Sequence, residues 1–381
     1  MRAPSSRTAS AVLASTAPTG VLALLAGAIL VIALSPPRVS EASTPGIRKF
    51  SDMTGRVAQL RGTPKRVMVF APVLSHYVTV DGDGHVSAIT RSMRAETAVS
   101  LLGKLYPTLS SKETASTTTV NSGDPAGVEQ TMLEEPDVIL TWGRRSGAKF
   151  EEIRYPGLLK LFDDGAPAGE TTYRFFGELT QQGERVEALL GRDREQLDEL
   201  YAQLPRPARL HELMVIFPWN YAVWGKTTPA FNRAIRLLGA QNVGLAGVPG
   251  GQRNIEEINK LDPEIIFLPT SVINQRSSPA DVYADKSLGA IRAVRDRRVY
   301  RLPNGAASME GPVENALLMQ WIAELLYPDM KMRVPLRTAI RNAYRSAFAY
   351  EMSDDDIDAL LRLDENGISA NYQRFARVSD R

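Results

Sequence analysis

One pattern occurs twice in this chain, and it constrains the fold more than any other feature. At 127–145 the sequence reads GVEQTMLEEPDVILTWGRR, and at 255–269 it reads IEEINKLDPEIIFLP. Glu129 stands seven residues before Pro136, and Glu256 stands seven before Pro263. Each proline is followed by an acid and then an apolar run, Val138-Ile139-Leu140 or Ile265-Ile266-Phe267-Leu268. The pattern predicts a short helix, a break at the proline and a buried strand. A duplicated unit implies two similar lobes, and two lobes imply a cleft.

The flanking segments repeat in the same order. Val67–Phe70 is a short apolar run closed by Pro72, and Leu213–Phe217 is closed by Pro218. Leu101-Leu102-Gly103 returns as Leu237-Leu238-Gly239. Residues 43–64 read as an edge hairpin turning at Thr54-Gly55. Val73–Ile89 admits two readings: a hairpin about Asp81-Gly82-Asp83-Gly84, or a helix over 74–80 and a strand over 86–89. The Asp-Gly pairs lack the later ligands of a calcium loop. Spacing predicts a helix over Ala95–Tyr106, ended by Pro107.

Residues 172–204 contain no proline and place Phe175, Leu179, Val186, Leu189, Leu190, Leu197 and Leu200 at helical intervals. They read as one long helix despite Gly183 and Gly191. Val299–Leu302 is a further strand, and Pro312–Leu326 an amphipathic helix with Trp321 in the core. Strands alternating with helices in both halves predict the α/β class: two Rossmann-like lobes with largely parallel sheets, joined by a single long helix, with the ligand cleft between them. The resulting division is a signal peptide at 1–42, an N-terminal lobe at 43–171, a connecting helix at 172–206, a C-terminal lobe at 207–330 and a helical extension at 331–381. In that extension, Ser353-Asp354-Asp355-Asp356 caps a short helix.

Among the 381 residues there is no cysteine, which removes disulfides, thiolate metal sites and cysteine nucleophiles together. The three histidines, His76, His85 and His211, are scattered, against a His-rich site for bare zinc or manganese. Arg2 and Arg7 precede the apolar run Val21–Leu34, and small residues lead to Ser40-Glu41-Ala42. This is the layout of a secretory signal, and the run is shorter than the ~20 residues that span a bilayer. An uncleaved N-terminal anchor is the alternative reading. Without residues 1–42, bases and acids are equal in number, so the formal +2 of the whole chain points to no nucleic-acid partner. The expected location is the periplasm or cell exterior.

Ligands of parallel α/β sheets sit at the carboxyl ends of strands, so the residues just after each strand are the candidates. Arg91 and Arg94 follow 86–89, and Trp142, Arg144 and Arg145 follow 138–140. Trp219, Tyr221, Trp224 and Lys226 follow 213–217. Thr270 and Ser271 follow 265–268, while Asn304, Ser308 and Met309 follow 299–302. Aromatics with bases suit a planar, anionic, partly apolar ligand, whose rings stack and whose oxygens meet guanidinium forks. A single tryptophan after a strand also reads as packing, and Arg144-Arg145 as a solvated loop; their clustering in both halves favours a site. There is no nucleophile elbow, phosphate loop or His-Glu helix motif, so the chain does not read as an enzyme. Glu134-Glu135 and Asp262 with Glu264 flank prolines at helix ends, where capping explains them.

The segments VEQTMLEEPDVIL, IEEINKLDPEIIFL, the long central stretch and LGAIRAVRDRRVYRLP at 288–303 resemble the substrate-binding proteins of bacterial ABC importers for iron–siderophore complexes, haem and cobalamin. The resemblance covers roughly residues 50–328, and the tail is similar to extensions in some members. It implies two lobes joined by one long helix, a shallow cleft and little closure. It also implies one glutamate on each lobe's outer face, Glu129 and Glu256, docking onto arginines of the membrane permease. Helix capping is another role for the same glutamates.

The expected protein is therefore a monomeric periplasmic receptor that delivers a metal chelate, foremost a ferric siderophore, to an ABC permease. Haem, cobalamin and a nickel or cobalt chelate are the alternative ligands. An exported enzyme or a signalling subunit on the same scaffold is the alternative function. Arg91, Arg94, Arg144, Arg145 and Lys226 would neutralise the chelate, and Trp142, Trp219, Tyr221 and Trp224 would pack its rings. Met309 would line the cleft. No resident cofactor and no metal ligand from the protein are expected, because the chelator fills the metal's shell.

Overall fold

The structure, a computed structural model, describes residues 46–70, 73–115, 125–144, 146–162, 164–206, 209–218, 220–223, 229–245, 251–269, 278–307 and 309–377. The signal sequence at 1–42 lies outside them. The chain enters through an antiparallel hairpin, β1 (Ile47–Ser51) with β2 (Val57–Arg61). Its turn is organised by Asp52, whose Oδ1 accepts from Thr54 and Arg56 amides (2.8 and 3.0 Å) while Oδ2 accepts from the Lys160 amide (3.0 Å).

The first lobe is a five-stranded sheet of β3 (Val67–Val69), β4 (Val86–Thr90), β5 (Glu113–Ala115), β6 (Val138–Trp142) and β7 (Leu158–Leu161). Its order is β5-β4-β3-β6-β7 and every pairing is parallel. In the second lobe β8 (His211–Phe217) is central. The last two residues of β8 pair antiparallel with the short β9 (Ala222–Val223), its first half pairs in parallel with β10 (Ala240–Asn242), and β11 (Gly251–Gln252) extends β9. On the other side of β8 lie β12 (Ile265–Leu268) and β13 (Val299–Arg301), both parallel. Val67, Met68 and Val69 face Val138, Ile139 and Leu140 in register, as Leu213, Met214 and Val215 face Ile265, Ile266 and Phe267. The duplication read in the sequence is thus a duplication of strand pairing. Val73–Ile89 resolves as a helix, Val73–Asp81, followed by β4.

Alternation along the strands divides the core. Val67, Val69, Val138 and Leu140 join Leu213, Val215, Ile265 and Phe267 in one continuous core that runs through both lobes. Met68, Phe70 and Ile139 point to the opposite face, covered by Val128 of helix Pro125–Leu133. Met214, Ile216, Ile266 and Leu268 do the same under Ile258 of helix Ile255–Leu261. The helices that carry Glu129 and Glu256 therefore roof the two outer faces.

Two helices expected whole are broken. The stretch 172–204 forms helices Glu170–Thr180 and Gly183–Gln203. Gln181 adopts a left-handed φ of 62°, and the Gln182 amide returns to the Gly177 carbonyl at 2.8 Å, a Schellman closure. The second helix then folds back against the first at Gly177, where a Cβ would lie 3.0 Å from Val186 Cγ2. The single long helix that joins the lobes is Gly183–Gln203, about 32 Å long at ~1.5 Å per residue. Likewise Ala95–Tyr106 divides into Arg91–Thr97 and Leu101–Leu105, packed so closely that a Cβ on Gly103 would overlap the Thr97 carbonyl.

The C-terminal segment packs on both lobes. Asn366 reads the edge of β13 as a strand would, accepting from the Arg301 amide at 2.7 Å and donating to the Arg301 carbonyl at 2.9 Å. Tyr372 stacks on Tyr300 (5.8 Å) and accepts from Trp321 Nε1 (3.1 Å), placing Trp321 in the core as expected. Toward the first lobe, Asp356 pairs with Lys104 at 2.5 Å and Phe348 packs edge-on against Tyr106. Burial alone would raise the Asp356 carboxyl, but the hydrogen bonds from Lys104 and Ser353 outweigh it and hold the group at about 2.

Candidate ligand site

In each lobe the strand order reverses beside the central strand, and the crevice lies outside the carboxyl ends there. In the first lobe β3 leads into helix Val73–Asp81, which places His76, while β6 runs out into Trp142. The two rings lie 6.3 Å apart, tilted by 30°. Tyr173, from helix Glu170–Thr180, meets His76 edge-on, with its hydroxyl 3.0 Å from Nδ1. Burial pulls the His76 imidazole down to about 4, so it is neutral at ordinary pH. Burial, then the nearby Glu314, hold the Tyr173 phenol protonated. The Tyr173 hydroxyl abuts Gly311 of the second lobe, where a Cβ would come within 2.1 Å of it. Trp142, His76, Tyr173 and Gly311 thus form a column that ties the lobes together at the crevice floor.

Cations stand around this floor. Arg144 stacks its guanidinium 3.9 Å over the Phe162 ring, just past β7, and is exposed. Its carbonyl accepts from the buried Lys160 (3.2 Å), which pairs with Glu151 (2.8 Å), so the loop after β6 is anchored from below. Arg91 and Arg94 are exposed on helix Arg91–Thr97, which Thr90 caps by accepting from the Met93 amide. They lie on a helix rather than the loop expected after β4. Arg91, Arg94 and Arg144 have no acidic partner among the described residues. On the same helix, burial raises the Glu96 carboxyl, and Arg362 of the C-terminal segment opposes that shift.

Two expected residues are placed elsewhere. Met309 is only 2% exposed: its left-handed backbone (φ 61°) turns the side chain into the shared core rather than onto an open wall. Tyr221 packs on the outer-face cluster of the second lobe, its hydroxyl 3.5 Å from Asp285, because its own φ of 53° swings it away from Trp142. Arg145, Trp219, Trp224 and Lys226 lie outside the described residues, as do Thr270, Ser271 and Ser308. Arg233 was not anticipated. It is exposed on helix Pro229–Leu237, with Nη2 3.5 Å from the Cβ position of Gly165 across the cleft. The signal available in the sequence was its helix, which starts directly after the aromatic loop 219–226.

Glu129 and Glu256 are both exposed on the roofing helices. Glu256 is the second residue of its helix, within reach of the helix-dipole effect, while Glu129 is the fifth of its own. Helix capping therefore accounts for neither as a pair; the capping box at the second helix uses Asn254 and Glu257. Among the described residues, no group of three or more His, Asp or Glu is arranged to hold a metal ion.

No protein-family model and no curated protein matches this sequence. Solved structures do match in fold. A periplasmic solute-binding protein from Veillonella parvula superimposes with a TM-score of 0.68 at 22% identity, over 84% of this chain and 98% of that one. CeuE of Helicobacter pylori, in its nickel–histidine complex, gives 0.66 at 18% identity over 83% and 99%. The molybdate-binding MolA of Haemophilus influenzae gives 0.64 at 17% over 80% and 99%. The chain has the two-lobed α/β fold of periplasmic solute-binding proteins.

Proposed function

We propose that this protein is an exported solute-binding subunit of an ABC importer that captures an anionic metal chelate, foremost a ferric siderophore, in the cleft between its lobes. The observation that carries this reading is the crevice itself. An aromatic floor of Trp142, His76 and Tyr173 is bordered by Arg91, Arg94, Arg144 and Arg233, which are without acidic partners among the described residues. Flat rings rest on such a floor, and guanidinium groups neutralise oxygens around it. Arg145, Trp219, Trp224 and Lys226 are proposed to complete the site. The protein acts by binding and handing over, with no chemistry on its ligand and no resident cofactor. It works as a monomer that meets a permease through Glu129 and Glu256.

The neighbours bind a nickel–histidine complex and molybdate, and a further one binds two haems. The bordering arginines favour a ligand with several anionic oxygens over a neutral one. Titration of the mature protein with ferric tris-catecholate, a ferric hydroxamate, haem and cobalamin, followed by tryptophan fluorescence, tests the reading. Micromolar quenching by an anionic ferric chelate is expected. Quenching by haem or cobalamin alone moves the ligand class, and quenching by none of the four overturns the proposal.

A further inference from the structure

The loop after β13 forms the second lobe's side of the crevice, and one buried carboxylate shapes it. Glu314 has no exposed surface. Its Oε1 accepts from the Ala306 amide (2.7 Å) and from the Tyr344 hydroxyl, and its Oε2 accepts from the amides of Ala307 and Met309 (both 2.9 Å). Gly305 lies directly on the carboxylate, and a Cβ there would fall 2.0 Å from Oε1. Tyr344 belongs to helix Leu336–Phe348 of the C-terminal segment, and its oxygen also receives the Ala306 amide at 3.0 Å. Burial, then the adjacent Glu314, keep its phenol protonated, so it serves as a donor to the carboxylate. A second tie runs from the Asn304 amide to the Leu360 carbonyl at 2.9 Å.

Four donors converge on two oxygens. Only an acceptor with no hydrogens of its own satisfies them all; a glutamine would turn an N–H₂ against backbone N–H groups. The loop's outline, including the left-handed Met309 and the half-exposed Asn304 and Gly305, is thus imposed from beneath by Glu314 and Tyr344. We infer that Glu314 and Tyr344 are positioning residues of the ligand cleft, holding loop 304–309 as its second wall, so that the C-terminal segment belongs to the binding machinery. The word "ligand" here rests on the function proposed above; the holding of the loop does not.

The test uses the full mature chain with Glu314→Gln and Tyr344→Phe, read by site-resolved amide exchange and by ferric tris-catecholate titration. In Glu314→Gln, the amides of Ala306, Ala307 and Met309 should exchange at least about 10-fold faster, with β12 amides unchanged, and chelate affinity should fall by about 10-fold. Tyr344→Phe should give the same pattern at smaller amplitude, and it carries the test if Glu314→Gln does not fold. Unchanged exchange at these amides overturns the holding role. Faster exchange with unaltered chelate affinity overturns the assignment of the loop to the cleft. If the wild-type chain binds no chelate, the proposed function fails while the exchange arm still decides whether the pair holds the loop.

Discussion

Glu135 before Pro136 and Asp262 before Pro263 both carry a left-handed φ, 42° and 37°, although residues before proline usually take extended backbone. After each proline the acid clasps the start of its lobe's first strand. The Asp137 amide donates to the Arg66 carbonyl and the Glu264 amide to that of Glu212, both at 2.8 Å. The side chains then part company. Asp137 Oδ2 accepts from the backbone amides of Lys65 and Arg66 (2.8 and 3.0 Å). Glu264 instead takes the Arg209 guanidinium and His211 Nδ1 (3.1 Å). Beyond the strands they diverge entirely, into Trp142-Gly143-Arg144 in one lobe and Pro269 in the other. What builds the sheet is kept in both halves, and what meets the cleft is kept in one.

The lobes also differ in how the connecting helix grips them, and this carries the largest expected effect. Toward the first lobe Arg185 donates to the Thr79 carbonyl at 3.2 Å. Toward the second, the buried Asp193 accepts from Asn315 Nδ2 and the Ala316 amide, both at 3.0 Å. Burial raises the Asp193 carboxyl to about 7 against these hydrogen bonds. Between ~3.9, the unfolded value, and about 7, the native state keeps a proton that the unfolded chain has lost. Stability therefore falls as pH rises through that window, by on the order of a few kcal/mol. Thermal melts from pH 4 to 8 should show this decline in the wild type and a flatter profile in Asp193→Asn; parallel profiles would break the asymmetry.

Next in size is the clasp. Glu264→Ala strands a guanidinium and an imidazole and should cost about 2–3 kcal/mol at pH 7, whereas the more exposed Asp137→Ala should cost about 1 kcal/mol. Burial would raise Glu264, but Arg209 and then His211 outweigh it and keep its carboxyl below the usual range. Its contribution is thus present above the unfolded value and lost as pH falls through the folded one. Denaturant titration of both variants at pH 7 and pH 3 checks this, and equal costs at pH 7 would mean that the two clasps are equivalent.

Smaller again, Trp142→Ala should weaken chelate binding about 10-fold, and Pro269→Ala less than about 2-fold, if ligand recognition is concentrated after β6. Equal losses in a fluorescence or calorimetric titration would instead spread recognition over both lobes. The smallest effect on binding is expected from Glu129→Ala with Glu256→Ala. Chelate affinity should stay within about 2-fold while association with permease in proteoliposomes drops; a collapse of chelate affinity would remove both residues from the docking role.

Most of the architecture was legible because burial writes itself into sequence. Apolar runs of three to five residues closed by proline gave six strands at the right places, and the repeated Glu-to-Pro spacing gave the lobes. The interruption of the connector was not legible, since glutamine at 181 carries no signal for left-handed backbone. Met309 and Tyr221 were misplaced for the same reason: each follows a strand, but a positive φ turns the side chain away. His76 and Tyr173 are 97 residues apart, and nothing local announces their contact. The buried Glu314 was hidden inside an ordinary amphipathic helix, because its partners are backbone amides that have no identity in a sequence.

Asn366 completes β13 from 65 residues downstream. Synthesis runs from the amino terminus at about 5–20 residues per second, so the finished strand waits roughly 3–13 s for its cover. During that time the second lobe offers an open sheet edge to any neighbouring nascent chain. A message truncated near codon 330 would make the interval permanent, and its product should accumulate as insoluble material even though nearly every strand of both lobes is present.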